Sequence, residues 1–241
     1  QRILLMGDME LPDSKHPYIE RGAYKILLDE KQLPKVDDLV EAIVTAHKDK
    51  RAVAIHCVTR TELVFALSSI ITAGHHPGDR IEHASITPDE VLPLMQQAQV
   101  SVVTQHGFLK ERGDQYLVDV EPQYHDLLYR GRAFLDAGIP LAGSSDAPYG
   151  SHDPWSTMRA AVDRSTASGE LIGAREKLTP EQALALFASS ARFPGTATRE
   201  VAIGEPADLC LLDCKWSVAR TRLDCCNVLA TVNGGKLIYT R

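Results

Sequence analysis

Short apolar runs alternate with helical segments along the first 200 residues, and this alternation constrains the fold more than any other feature. Five runs rich in apolar and β-branched residues predict strands at 23–29, 52–58, 79–85, 100–105 and 139–146. Each run is almost continuously apolar until its last residues, as expected for strands buried on both faces of a parallel sheet. Strands that alternate with helices indicate repeated βα units, so we expect an α/β fold.

The helical segments carry recognisable start signals. Apolar residues recur at three- and four-residue spacing within 36–50, which predicts an amphipathic helix. Thr87-Pro88 and Thr179-Pro180 each precede a further helical pattern. Threonine can cap the free amides of a first turn and proline fits that turn, so we expect helices to begin at both places.

After about residue 200 the pattern changes to short alternating strands joined by turns. Asn233-Gly234-Gly235 is a strong signal for a hairpin turn between two of them. The chain therefore divides into a βα part, residues 1–200, and a small β segment, residues 201–241.

Composition excludes several classes of partner. The chain is 44% hydrophobic and 24% charged, as is typical of a globular domain, and its net charge is −6. It has no cluster of lysine and arginine, so we expect no binding to nucleic acid or to an anionic membrane surface. No apolar run approaches the roughly 18 residues that a membrane-spanning helix needs.

The five cysteines are an odd number in a chain too large to require disulfides for stability. Cys210 and Cys214 lie in or beside an apolar run, so we expect them to pack as small buried hydrophobic residues rather than as half of a zinc knuckle. Reduced thiols indicate a cytoplasmic protein.

Polar residues stand within or at the carboxyl ends of the predicted strands, and they are Lys25, His56, His83, Gln105 and Asp146. In a parallel barrel this is the end where active sites are built. Two imidazoles and a carboxylate suit a divalent ion such as zinc, with an open position for water. Asp146 would then take the proton of that water.

Structural roles remain open for each of these residues when it is considered alone. A single histidine at a strand end is more often a hydrogen-bonded structural group than a ligand. Lys25 has the pattern of a lysine whose stem packs while its ammonium group reaches solvent. Strand alternation puts Glu82 on the face opposite His83, in a structural ion pair. Gln105 and His106 are candidates to orient a substrate, although a loop histidine with purely structural contacts fits equally.

An ordered set of short phrases resembles the amidohydrolase superfamily, and within it the amidohydrolase 3 branch. The phrases are AIH at 54–56, RIEHA at 80–84, LAGSSDAP at 141–148, DPW at 153–155, LTPEQAL at 178–184 and GEPADLCLLD at 204–213. The resemblance implies a partial TIM-type (β/α) barrel made of strands four to eight, with the N-terminal third missing, followed by a segment of a small β-sandwich.

The resemblance also implies the site. His56, His83 and Asp146 match the family's metal ligands, and Lys25 stands where binuclear members carry a carbamylated lysine that bridges two ions. One or two divalent ions, zinc being expected, would activate water for hydrolysis of a carbon–nitrogen bond in a small amide, cyclic amide or N-acyl compound.

Two departures from the family pattern leave alternatives. The His-x-His pair of strand one is absent, so we expect an upstream segment or an oligomer partner to complete the barrel, and these residues alone to be inactive. The motif after His56 runs Cys57-Val58-Thr59-Arg60 instead of the usual x-x-Gly-Asp. The rival interpretations are a mononuclear deaminase-type site, in which Lys25 is structural, and a non-catalytic amidohydrolase-like fragment.

Overall fold

Six parallel strands form one curved sheet, the half of a (β/α) barrel, in a computed structural model that describes residues 2–241. The strands are neighbours in chain order and every adjacent pair is parallel. The predicted α/β class is therefore confirmed. The strands are β1 (Ile3–Gly7), β2 (Ile19–Leu27), β3 (Val53–Cys57), β4 (Arg80–His83), β5 (Ser101–Thr104) and β6 (Leu141–Gly143).

Strand β1 was not predicted, so the expectation of five barrel strands was wrong by one. No helix separates β1 from β2, and the alternating βα pattern that revealed the other strands is missing there. The side chain of Arg51 fastens β1 to the sheet. Its guanidinium donates to the carbonyl oxygens of Asp8 (2.7 Å), Gly7 (2.9 Å) and Gly22 (3.0 Å). These three bonds join the end of β1 to β2 and to the start of β3.

Helices follow the strands. They are α1 (Val36–Lys48), α2 (Arg60–Ala73), α3 (Leu92–Ala98), α4 (Gly107–Asp119), α5 (Arg132–Asp136), α6 (Pro154–Asp163), α7 (Pro180–Ala185) and α8 (Trp216–Ala219). The predicted helix at 36–50 is confirmed by α1. Within residues 2–241, no helix combines the length and the apolar character needed to cross a bilayer.

The core lies between the sheet and these helices. Val53, Ala54 and Ile55 of β3 have no exposed surface, as a strand covered on both faces requires. Ile43 of α1 and Ile81 of β4 belong to the same buried cluster. The continuous apolar runs in the sequence thus correspond to strands that are buried on both sides.

One of the two predicted Thr-Pro helix starts is confirmed. Thr179 accepts from the amide of Gln182, whose side chain in turn accepts from the amide of Thr179, which makes a capping box. Thr87 instead donates its hydroxyl to the carbonyl of Ala84 (2.9 Å), and the chain forms a 3-10 turn at Asp89–Val91 before α3. The hydroxyl of Thr87 is used by the strand-to-helix loop, so it does not cap a helix.

The C-terminal segment forms a separate antiparallel sheet. Its strands are β7 (Leu209–Leu212), β8 (Val228–Asn233) and β9 (Lys236–Thr240). Gly234 and Gly235 form the turn between β8 and β9 with φ of 55° and 78°, a left-handed geometry that favours glycine. The predicted hairpin is confirmed. The division into a barrel part and a β-sandwich segment at residue 200 stays a prediction.

The cysteines of this segment are not packed as expected. Cys210 is exposed. Its neighbour in β7, Leu211, is also 60% exposed, so this three-stranded sheet does not bury the strand. Cys214 forms a disulfide with Cys226, twelve residues later. The predicted burial of Cys210 and Cys214 was therefore wrong, and the cytoplasmic location inferred from reduced thiols stays a prediction.

Candidate active site

Lys25 and His56 lie on neighbouring strands and on the same face of the sheet. In the register of β2 and β3, Leu27 is opposite His56, and Lys25 precedes Leu27 by two positions. Because side chains alternate along a strand, Lys25, Leu27 and His56 point to one side. Glu82 of β4 is opposite His56 and points to the same side.

His83 joins this face because its backbone leaves the regular strand conformation. Simple alternation would put His83 on the side opposite Glu82, yet its φ is +73°, in the left-handed region. The imidazole rings of His56 and His83 meet edge to face, with centroids 4.4 Å apart. A non-glycine residue in this conformation costs about 1–3 kcal/mol, and such strain is found preferentially at functional sites.

The ring of His83 is oriented by Gln105. Its Nδ1 lies 2.8 Å from Oε1 of Gln105, and both side chains are buried. An amide oxygen accepts only, so Nδ1 of His83 carries the proton and Nε2 keeps its lone pair. The hydroxyl of Thr104 donates to the carbonyl of His83 (2.9 Å) and holds the left-handed backbone. This is the arrangement expected of a metal-ligating imidazole.

Asp146 lies in a turn after β6, and side chains of helix α4 contact the residues that follow it. Its φ is +53°, and its carbonyl accepts from the amides of Tyr149 (2.9 Å) and Gly150 (3.3 Å). From helix α4, Arg112 lies 3.5 Å from the ring centroid of Tyr149, and Glu111 accepts from the amide of Ser151 (3.0 Å). Helix α4 thus clamps the loop that carries Asp146.

The site is electrostatically coupled. Burial lowers the pKa of His56, and the positive charges of His83 and Lys25 act in the same direction. Burial also lowers the pKa of His83, against the opposing effect of Asp146. A lowered pKa favours the neutral imidazole, which is the form that binds metal. Burial lowers the pKa of Lys25 as well, while Glu82 raises it.

Glu82 is paired rather than free. Its carboxylate accepts from Nε of Arg80 at 2.7 Å, and both side chains are buried. The predicted structural ion pair is confirmed. The prediction that Glu82 and His83 point to opposite faces was wrong. Glu82 keeps the regular strand geometry, whereas the left-handed backbone of His83 turns its side chain to the same face.

The structure brings the predicted ligands to one end of the sheet, but their donor atoms are not close enough together to coordinate one ion. His83 is buried, His56 and Lys25 are half-buried, and Asp146 is exposed. Among His, Cys, Asp and Glu of residues 2–241, groups of three donor atoms within 4.8 Å of one another occur elsewhere, at three cysteines. The candidate ligands therefore lie on β2, β3 and β4 and in the loop after β6.

Two candidate substrate contacts have other surroundings. Gln105 is buried and bound to His83, so it orients that ring, and its contact with a substrate stays a prediction. His106 has no exposed surface, and neither of its ring nitrogens forms a hydrogen bond. A Cβ built on Gly131 would lie 3.0 Å from its Nε2, which shows how tightly it is packed. His106 is thus a core residue in this structure.

One feature of the site went unrecognised in the sequence. Thr59 and Glu62 form a capping box at the start of α2, three residues after His56. The carboxylate of Glu62 also accepts from the amides of Val58 (2.7 Å) and Glu30 (2.9 Å). The signal was present as Thr-x-x-Glu before an apolar run.

Comparisons with known proteins agree with this geometry. A family model described as "Amidohydrolase family" matches residues 8–239. An N-substituted formamide deformylase from Arthrobacter pascens is 30% identical over 173 residues, which are 67% of this chain and 31% of that protein.

Solved structures show the same fold. An uncharacterized metal-dependent hydrolase from Pyrococcus furiosus aligns with a TM-score of 0.63 and 24% identity over 73% of this chain and 40% of its own. The A. niger ochratoxinase aligns with a TM-score of 0.59 and 20% identity over 90% of this chain and 51% of its own. The chain thus spans about a third of the curated relative and two fifths to a half of these structures. Because the family model covers nearly all of the sequence, the protein belongs to the amidohydrolase family.

Proposed function

We propose that the intact protein is a metal-dependent hydrolase that cleaves a carbon–nitrogen bond in a non-peptide amide, a cyclic amide or an N-acyl compound. The observation that carries this proposal is the meeting of the His56 and His83 rings, with Gln105 bound to Nδ1 of His83 and Nε2 left open. Membership of the amidohydrolase family and the likeness to a formamide deformylase support the reaction class.

The donor types fit a divalent ion such as zinc. His56 and His83 would hold it through neutral imidazole nitrogens and Asp146 through a carboxylate oxygen, which are ligands that catalytic zinc takes. When bound, zinc supplies the Lewis acidity that polarises a substrate carbonyl. The exposed carboxylate of Asp146 accepts the proton of the attacking water and returns it to the leaving nitrogen.

The chemical state of Lys25 distinguishes a site for one metal ion from a site for two. The proposal includes addition of the neutral Lys25 amine to carbon dioxide, with release of a proton; the resulting carbamate would supply oxygen ligands for a second ion. Lys25→Ala in the intact protein should then lower the zinc content from two ions per chain to one or none, as measured by mass spectrometry of metals. An unchanged zinc content would favour the mononuclear, deaminase-type site.

Further polypeptide is needed to enclose this site. The half-barrel has free edges at β1 and β6, and Ile3 and Leu5 of β1 are each 42% exposed. An upstream segment or a second copy would cover these edges, and the segment would supply the His-x-His ligands of the family pattern. We expect residues 1–241 alone to bind metal weakly and to be catalytically silent, because a ligand set without its supporting walls lacks fixed geometry.

The experiment compares this chain with a version extended through its native upstream sequence, on a panel of N-acyl and cyclic amides at fixed zinc. The extended protein should hydrolyse at least one amide, and His56→Asn should abolish that activity. His75→Asn, at an exposed loop histidine, is the matched control and should retain it. Equal turnover by the short and extended chains would contradict the need for further strands, and full activity of His56→Asn would contradict the assigned site.

A further inference from the structure

Three cysteines of the C-terminal segment gather their sulfur atoms in one place. The Sγ atoms of Cys214, Cys225 and Cys226 all lie within 4.8 Å of one another, and all three residues are half-buried. Sγ of Cys225 is 3.5 Å from Sγ of Cys226. This cysteine triad is the single group of its kind that residues 2–241 contain, and it stands outside the strand ends that carry His56 and His83.

The backbone around the cysteine triad is held independently of any sulfur–sulfur bond. Asp213 and Asn227 flank Cys214 and Cys226, and three hydrogen bonds join them. The amide of Asp213 donates to the carbonyl of Asn227 (3.0 Å), and the amide and side-chain nitrogen of Asn227 each donate to the Asp213 carboxylate (2.8 Å). The amide of Cys225 donates to the carbonyl of Arg222 (3.0 Å). Reduced thiols would therefore stay close together.

Three sulfur donors with no imidazole or carboxylate in the group select a soft cation. Thiolate ligands select Cu(I), zinc or iron–sulfur clusters, and structural zinc sites use four protein ligands, one more than the three sulfur atoms here. We propose that the reduced cysteine triad binds one Cu(I) ion per chain. Reduction of the Cys214–Cys226 disulfide by a thiol reductant adds two electrons and two protons, and the reductant becomes its own disulfide. Each thiol loses its proton to solvent when it binds the ion.

Both cations and carboxylates surround the cysteine triad. Three thiolates and one Cu(I) carry a net charge of −2, which neighbouring cations stabilise. The carboxylate of Asp224, next to Cys225, is already paired with Arg159 (3.0 Å) and Arg222 (3.1 Å). Lys215 follows Cys214 directly. Arg159, Arg222 and Lys215 thus partly offset the negative charges of Asp213, Asp224 and the complex.

The test titrates the reduced protein with Cu(I) under nitrogen, in competition with bicinchoninate as a coloured chelator. Substitution to serine of Cys214, Cys225 or Cys226 should each weaken Cu(I) binding by roughly tenfold or more, since each removes one ligand. Cys210→Ser is the matched control, because Cys210 is an exposed thiol outside the cysteine triad, and it should bind as the parent does. X-ray absorption at the copper edge should show sulfur neighbours alone.

Three results would overturn the proposal. Undiminished binding by Cys225→Ser would show a two-thiol site, and nitrogen neighbours in the absorption spectrum would show copper at histidines instead. Displacement of Cu(I) by equimolar Zn²⁺ would assign the triad to zinc. Cys225 lies outside the disulfide, so its variant remains informative even if loss of Cys214 or Cys226 prevents folding. The readout is metal binding, so it does not depend on the proposed hydrolysis.

Discussion

Gln105 is the residue whose role changes most between sequence and structure. It stands after β5 as a candidate substrate contact, and the fold turns its amide oxygen to Nδ1 of His83 instead. A partner of this kind fixes the tautomer and the orientation of a metal ligand. If His83 holds an ion as proposed, the contribution of Gln105 is measurable as metal affinity, without any substrate.

We expect Gln105→Leu to lower zinc affinity by about 10–100-fold, because the ring of His83 loses the acceptor that holds it. Gln105→Glu keeps an acceptor at that place and should restore most of the affinity. Gln115→Leu changes an exposed glutamine of α4 and serves as the control. Competition with a chromophoric chelator measures all four proteins. Parent-like affinity of Gln105→Leu would mean that His83 does not bind the ion.

His106 provides a prediction on pH and stability. Burial lowers its pKa from 6.5 to about 3, with Arg164 acting in the same direction. At pH values between these two pKa values, His106 binds a proton in the unfolded chain but not in the folded chain. The free energy of unfolding therefore decreases as the pH falls below 6.5. Each pH unit below 6.5 lowers the free energy of unfolding by about 1.36 kcal/mol, so at pH 5 the protein loses about 2 kcal/mol of stability.

His106→Leu should remove this part of the pH dependence. Urea unfolding at pH 7.5 and pH 5 should show a stability loss about 2 kcal/mol smaller in the variant than in the parent. His56 and His83 titrate in both proteins, so their contribution cancels in the comparison. Parallel pH profiles would show that His106 is protonated, or hydrated, in the folded protein.

At the scale of elements, the start of α2 matters for the site because it follows His56 so closely. The capping box of Thr59 and Glu62 fixes the loop between β3 and α2. We expect Thr59→Ala to cost about 1 kcal/mol of unfolding free energy, the usual value for a lost helix cap. Thr72→Ala is the control, since the Thr72 hydroxyl bonds only to the carbonyl of Ser68 within the helix. Equal effects in urea unfolding would contradict a special role for the cap.

Elements were predictable where one local rule decides them. The strands of residues 52–58, 79–85 and 100–105 were recognised because a strand buried on both faces of a parallel sheet is a continuous apolar run in the sequence. Strand β1 was missed because no helix follows it. The exposed position of Cys210 was missed because burial of β7 depends on what covers its sheet, which no local pattern records.

At the scale of the whole molecule, the free edge of β1 predicts self-association. An uncovered strand presents unpaired backbone groups that pair readily with another chain. We expect residues 1–241 to associate as concentration rises in sedimentation velocity experiments, and Leu5→Lys to reduce this, because a charge on an edge strand opposes pairing. Val118→Lys is the control, at a 78% exposed position of α4. Equal association of the two variants would place the contact elsewhere.

The sequence by itself determined the fold class, most of the strands, the resemblance to a family and the candidate ligands His56, His83, Asp146 and Lys25. The fold class, the strands and the candidates His56, His83 and Asp146 follow from local hydrophobic pattern and from which residue types stand at strand ends, whereas the ligand role of Lys25 is implied by the resemblance alone. Only the tertiary structure decided which candidates face each other. The left-handed backbone of His83 overrides strand alternation, and it is held by Thr104 of the next strand, a contact between residues distant in the chain. A local pattern records neither such a contact nor the strain that it sustains.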